Sequence, residues 1–281
     1  MIAFACKPDL KKEGLKSPFF TNEQWDSYRR FQQQPRMFAH GFATDEETAA
    51  FLDFQTKHDQ LVIGVRRHLP QVLDDFVAFE TDYQYLRLGR TRQFLAKFFA
   101  YVQTLTTPGC WTGFEESYYR PDPGMNARAS MADKFWPKEI GKLNTKLNAY
   151  EGLHGTIVVP MMVKQMFCFD EPGKNGVWLA AGVSTHWLKD GQPLAAKRLG
   201  SRYGLIDLSL TWKAADKTLV AEIVPQPGRT VTEVRLRLRA PGMKTLQSAT
   251  LADGTVCELR GDLAILRNLT KPTTVTAQFV E

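Results

Sequence analysis

The chain has 281 residues, 43% of them hydrophobic and 23% charged, enough for one large domain or two moderate ones with a real core. Its formal charge of +6 comes from 36 basic and 30 acidic residues, and it is spread out: 10 Lys/Arg stand against 8 Asp/Glu in residues 203–281. No basic tail or stripe argues for nucleic acid, and no segment approaches the ~20 apolar residues of a membrane span.

In chain order, the first regular pattern is TNEQWDSYRRFQQQ. Thr21 and Gln24 stand at capping-box spacing and Trp25 and Tyr28 share a face, which predicts a short helix ended by Pro35. A second helix starts at Thr44, where Thr44 and Glu47 repeat that box and Phe51, Phe54, His58 and Leu61 form a stripe; His58 reads as a packed histidine. Beyond Pro70, Asp74 and Asp75 precede a stripe of Phe76, Phe79, Tyr83 and Leu86 that runs to Gly89. Thr91 opens the next helix, with Phe94, Leu95, Phe98, Phe99, Val102 and Leu105 inward, so the two helices form a hairpin.

The stretch 107–136 is different. It gathers Trp111, Phe114, Tyr118, Tyr119, Phe135 and Trp136 among Glu115, Glu116, Asp122 and Asp133, while Pro108, Pro121 and Pro123 with Gly109, Gly113 and Gly124 argue against a long helix or central strand. It is therefore read as a loop displaying aromatics and acids, a composition suited to sugar rings with apolar faces and hydroxyl edges. Its competing reading is a structural connection whose aromatics pack on neighbouring helices. A helix follows from near Leu153 to Cys168, kinked or started by Pro160.

From Tyr203 the pattern becomes strands and turns, with apparent strands at 204–213, 218–225, 231–239, 245–252, 255–259, 262–267 and 273–280. That spacing predicts an antiparallel sandwich. In RLRLR, alternation puts Arg235, Arg237 and Arg239 on one solvated face and Leu236 and Leu238 on the other. The expected organisation is a helical domain over 1–172, a connection over 173–203 and an antiparallel β-sandwich over 204–281, since segregated helices and strands indicate separate domains.

Common chemical signatures are absent: no P-loop, no G-x-G-x-x-G after a strand, no H-E-x-x-H and no G-x-S-x-G. Cys6, Cys110, Cys168 and Cys257 form no C-x-x-C, and the five histidines lack ligand spacing, so neither a metal nor another cofactor is expected. With no charged region before its short N-terminal apolar run, the chain shows no export signal, and a cytoplasmic location is the default. Asn268-Leu269-Thr270 matches a glycosylation sequon by chance on that reading.

What remains is carboxylates with aromatics. Glycoside cleavage needs a protonated acid for the leaving oxygen and a carboxylate to activate water or attack, because the transition state is oxocarbenium-like. Glu115 and Glu116 are the first candidates; Asp74, Asp75, Glu80 and Asp82 follow, with capping or a solvated helix face as their competing roles.

The order DDFVAFETDYQYLRLGRTRQFLAKFFAYVQTLTTPGCWTGFEE, then WLAAGVSTHWL and RYGLIDLSL, resembles the closing portion of the six-hairpin, (α/α)6-toroid glycoside hydrolases with their C-terminal β-sandwich. The resemblance spans roughly residues 35–281 in order. It implies a partial (α/α) toroid followed by the sandwich. It also implies carbohydrate hydrolysis, and from it only Glu115 and Glu116, as catalytic or sugar-contacting acids, and Trp111, as a stacking platform, carry over; Glu80 as a further catalytic acid and Tyr118, Tyr119, Trp136 and Asp75 as sugar contacts are expected from the residue pattern alone. A toroid of that kind needs more helices than this pattern supplies, so the chain is expected either to be a fragment or to self-associate or pack with a partner chain. The alternative is a non-catalytic carbohydrate-binding or protein-interaction module.

Overall fold

The computed structural model describes residues 8–9, 14–15, 43–57, 61–69, 72–73, 82–106, 114–118, 150–151 and 153–281. The helix expected at 21–34 lies outside these residues. The chain divides into two compact units, Met1–Met162 and Val163–Glu281.

In the first unit, β1 (Pro8–Asp9) and β2 (Gly14–Leu15) form a two-stranded pair. Helix α1 runs Asp45–Lys57. Its start is the capping box expected from sequence: the Glu47 amide donates to Thr44 Oγ1 at 3.2 Å, and the Thr44 amide donates to Glu47 Oε2 at 3.0 Å. Acids at 45–47 favour the positive end of the helix dipole, and Phe51 and Leu52 are buried. The stripe stops before Leu61, which belongs to a strand.

That strand begins a five-stranded sheet of order β3-β4-β5-β6-β7: β3 (Leu61–Val62), β4 (Val65–Leu69), β5 (Val72–Leu73), β6 (Phe114–Tyr118) and β7 (Tyr150–Glu151). The region expected to be helical throughout therefore also carries a sheet. Strands β3 and β4 join through Ile63 and Gly64, at φ 52° and 83°. A two-residue hairpin turn with positive φ at both positions matches the twist of its strands. Without an Asn-Gly or Asp-Gly signal, it was hidden behind the helical spacing of the preceding residues.

Helix α2 (Tyr83–Arg87) ends at Gly89, whose φ of 74° lets the Arg90 amide reach back to the Tyr85 carbonyl at 2.7 Å. Helix α3 then spans Thr91–Thr104. The second helix of the expected hairpin starts at Thr91 as read, whereas of the first only Tyr83–Arg87 is described as helix, residues 74–81 lying outside the described residues. The inward face of α3 differs from the expected one. Phe94, Lys97, Tyr101 and Leu105 are buried, whereas Phe99 is 56% exposed and Leu95, Phe98 and Val102 are half-buried. A face at intervals of three and four has room for one row, and the row containing the buried lysine occupies it.

Helix α4 (Leu153–Phe167) carries Pro160 in its interior, so the proline does not start the helix. It leads into the second unit, where two five-stranded sheets share one core. One has order β10-β11-β12-β17-β14, and the other β15-β16-β13-β9-β8. The elements are β8 (Cys168–Asp170), β9 (Val177–Leu179), β10 (Pro193–Ser201), β11 (Gly204–Lys213), β12 (Thr218–Pro225), β13 (Val231–Arg237), β14 (Thr245–Leu251), β15 (Glu258–Arg260), β16 (Leu263–Leu269) and β17 (Thr273–Val280). Each of the seven strands read from sequence has its counterpart. Three further strands, β8, β9 and β10, join the sheets, two of them within 173–203.

The alternation that marked the strands also builds the core. Along β11, Ile206, Leu208, Leu210 and Trp212 are buried while the residues between them are not. They meet Leu219, Ala221 and Ile223 of β12, Ala277 and Phe279 of β17, and Val234, Leu236 and Leu266 of the opposite sheet. Each fully buried Leu, Ile or Phe contributes about 1.5–3 kcal/mol by leaving water, which makes this shared core the stabilising centre of a β-sandwich. Between α4 and the turn that follows β9 the backbone approaches closely: the Gly182 amide donates to the Met166 carbonyl at 2.9 Å, and a Cβ at Gly182 would lie 2.7 Å from Met166 Cα.

Candidate functional site

Of the residues singled out for chemistry, Glu115, Glu116 and Tyr118 lie in β6. Its backbone pairs Tyr118 with Val72, Ser117 with Leu73, Glu116 with Tyr150 and Phe114 with Glu151, with a register shift between Phe114 and Glu116. The expected loop is thus interrupted by a strand. Prolines 108, 121 and 123 flank it without entering it, so every residue of 114–118 keeps the amide a ladder needs. Trp111, Tyr119, Trp136, Asp75 and Glu80 lie outside the described residues. Three of the predicted site residues therefore share one short strand, which lies between β5 and β7 in its sheet.

Asp74 also lies outside the described residues, while Asp82, a further carboxylate considered from sequence, is fully buried just ahead of α2. Lys97 of α3 meets it at 2.5 Å, and the two side chains are 0% and 3% exposed. Bringing this pair in requires room: a Cβ at Gly64 would lie 2.8 Å from Lys97 Cβ, so the turn between β3 and β4 sits directly against the lysine stem. Arg87 completes a polar patch in the same unit. Its Nε donates to Gln84 Oε1 at 2.7 Å, its guanidinium donates to Thr48 Oγ1 at 3.2 Å, and it pairs with Asp45. Buried charges are costly unless matched, and here each has an opposite partner. Asp82 holds two helices through Lys97 and is not presented to water as an acid.

The densest chemistry in the second unit lies on the sheet containing β13. Trp178 of β9 is in parallel register with Arg235, and its ring stacks on Phe169 with centroids 5.7 Å apart and an interplanar angle of 9°. The guanidiniums of Arg235 and Arg237 lie 5.4 and 5.3 Å from the Trp178 ring centroid, within cation–π range. Trp178 Nε1 donates to Glu171 Oε2 at 3.2 Å, Arg235 donates to the same oxygen at 2.9 Å, and Lys174 meets Glu171 Oε1 at 2.8 Å.

This corrects the reading of RLRLR. Leu236 and Leu238 are buried as expected, but Arg237 is only 5% exposed, and Asp262 lies 3.2 Å from Arg237 and 2.6 Å from Arg239. Burial lowers the Arg237 pKa from its ordinary value, and Asp262 opposes the shift. The arginine face is covered because its parallel neighbour brings a flat indole over it, an arrangement that alternation within one strand does not encode. Towards the solvent, the charge chain continues from Glu233 to Arg267 at 2.9 Å, to Glu258 at 3.0 Å and to Arg260 at 2.6 Å.

Trp178 is 5% exposed, so the cluster fastens strands together and offers no open aromatic face to a sugar. Cys168 is buried, and desolvation pushes its thiol pKa up to about 12, so it is a protonated thiol at neutral pH. Among the described residues, no group of His, Cys, Asp and Glu could hold a metal ion. Among them also, no helix is long and apolar enough to cross a membrane.

No family model matches the chain, and no curated protein matches it. Among solved structures it is similar to a GH127 β-L-arabinofuranosidase from Geobacillus stearothermophilus T6, at 9% identity and a TM-score of 0.27. The match covers 87% of this chain and 50% of that one, so the chain spans about half the length of this neighbour. A likeness of that size fixes neither fold nor activity; the β-sandwich stands on its own strand ladders and shared core.

Proposed function

We propose that the chain is a carbohydrate-active protein related to glycoside hydrolases, acting on O-glycosidic bonds through carboxylates of the segment around β6. The observation that supports this reading is the order of elements: a helical hairpin, an acid-bearing strand in an aromatic-rich segment, the apolar helix α4, then a β-sandwich. Hydrolysis requires one carboxylic acid that protonates the leaving oxygen and one carboxylate that attacks or activates water. Glu115 and Glu116 are the proposed acid or base, with Glu80 as a further candidate. Trp111, Tyr118, Tyr119, Trp136 and Asp75 would hold the sugar. The helical part is proposed as a portion of an (α/α) toroid completed by a second copy or a partner chain. The sandwich is assigned no sugar, since Trp178 and Trp212 are each 5% exposed and committed to packing.

The test is a panel of aryl glycosides and natural oligosaccharides assayed with the wild type, Glu115→Gln and Glu116→Gln. Loss of a general acid or base should lower kcat by ~100- to 10,000-fold with little change in KM. Activity in the wild type that neither substitution reduces would overturn the site assignment.

A further inference from the structure

We draw no further inference here: the strongest candidate, the outward face of helix α3, where Phe99 is 56% exposed beside the Phe98 ring, carries nothing, because nothing among the described residues shows what covers it.

Discussion

Two charge clusters, one in each unit, are built in opposite ways. In the first, Lys97 and Asp82 are an ion pair sealed from water, each side chain at most 3% exposed. In the second, charge runs from the buried Glu171 through Arg235 and Glu233 to the exposed Arg267, Glu258 and Arg260. A sealed pair leaves a bare buried charge when either partner is lost, whereas a chain that ends in solvent can rehydrate the exposed charge that loses its partner. The comparison separates groups that the fold cannot lose from groups that only adjust it.

The largest expected effect is at the sealed pair. Lys97→Met should destabilise the first unit by about 3–5 kcal/mol, because Asp82 would remain buried without its cation. Denaturant unfolding of Lys97→Met, of Asp82→Asn and of the double variant would check this. The double variant should be more stable than Lys97→Met alone. A double variant as weak as the sum of both singles would show that the pair is not the unit at stake.

In the second unit, Trp178→Ala should cost about 3–5 kcal/mol, through the cavity left between Phe169 and the two arginines. Trp178→Phe keeps a ring but removes the Nε1 donor to Glu171, and about 1 kcal/mol is expected, since Arg235 and Lys174 still satisfy that carboxylate. Equal losses in the two variants would move the weight from packing to the hydrogen bond. Next in size is Gly182→Ala. Its Cβ would come within 2.7 Å of Met166 Cα, and the backbone shift this forces should cost about 1–3 kcal/mol in thermal unfolding.

The smallest effect belongs to the exposed end of the chain. Arg260 first, and then Arg267, hold the Glu258 carboxyl below its ordinary value. A carboxyl with a lowered folded-state pKa stabilises above its unfolded value, and that contribution disappears as the pH falls through the folded one. Glu258→Gln should therefore flatten a small acid-side loss of stability, and added salt should weaken the same effect in the wild type. An unchanged acid limb in Glu258→Gln would show that this pairing contributes nothing.

How much of this was legible depended on the range of the signal. The Thr44–Glu47 box and the bounds of α3 are local matters of capping and period, and they appear where the pattern put them. So do most strands from 204 onward, where apolar alternation is bounded by pairs such as Pro241-Gly242 and Asp253-Gly254, although the strand expected at 255–259 is found at Glu258–Arg260. The burial of Lys97 was not legible: a lysine among apolar neighbours reads as outward until a carboxylate from the turn ahead of α2 is known to meet it. Nor was β6, whose partners Val72, Leu73 and Tyr150 are far from it in sequence.

By itself, then, the sequence determined the Thr44–Glu47 cap, the start of α3 and the alternating strands of a β-sandwich. Only the tertiary structure decided which face of each element lies inside. Trp178 is placed over Arg235 by the parallel pairing of β9 with β13, across more than fifty residues of chain. Periodicity is a property of neighbours along the chain, while burial and charge pairing belong to neighbours in space.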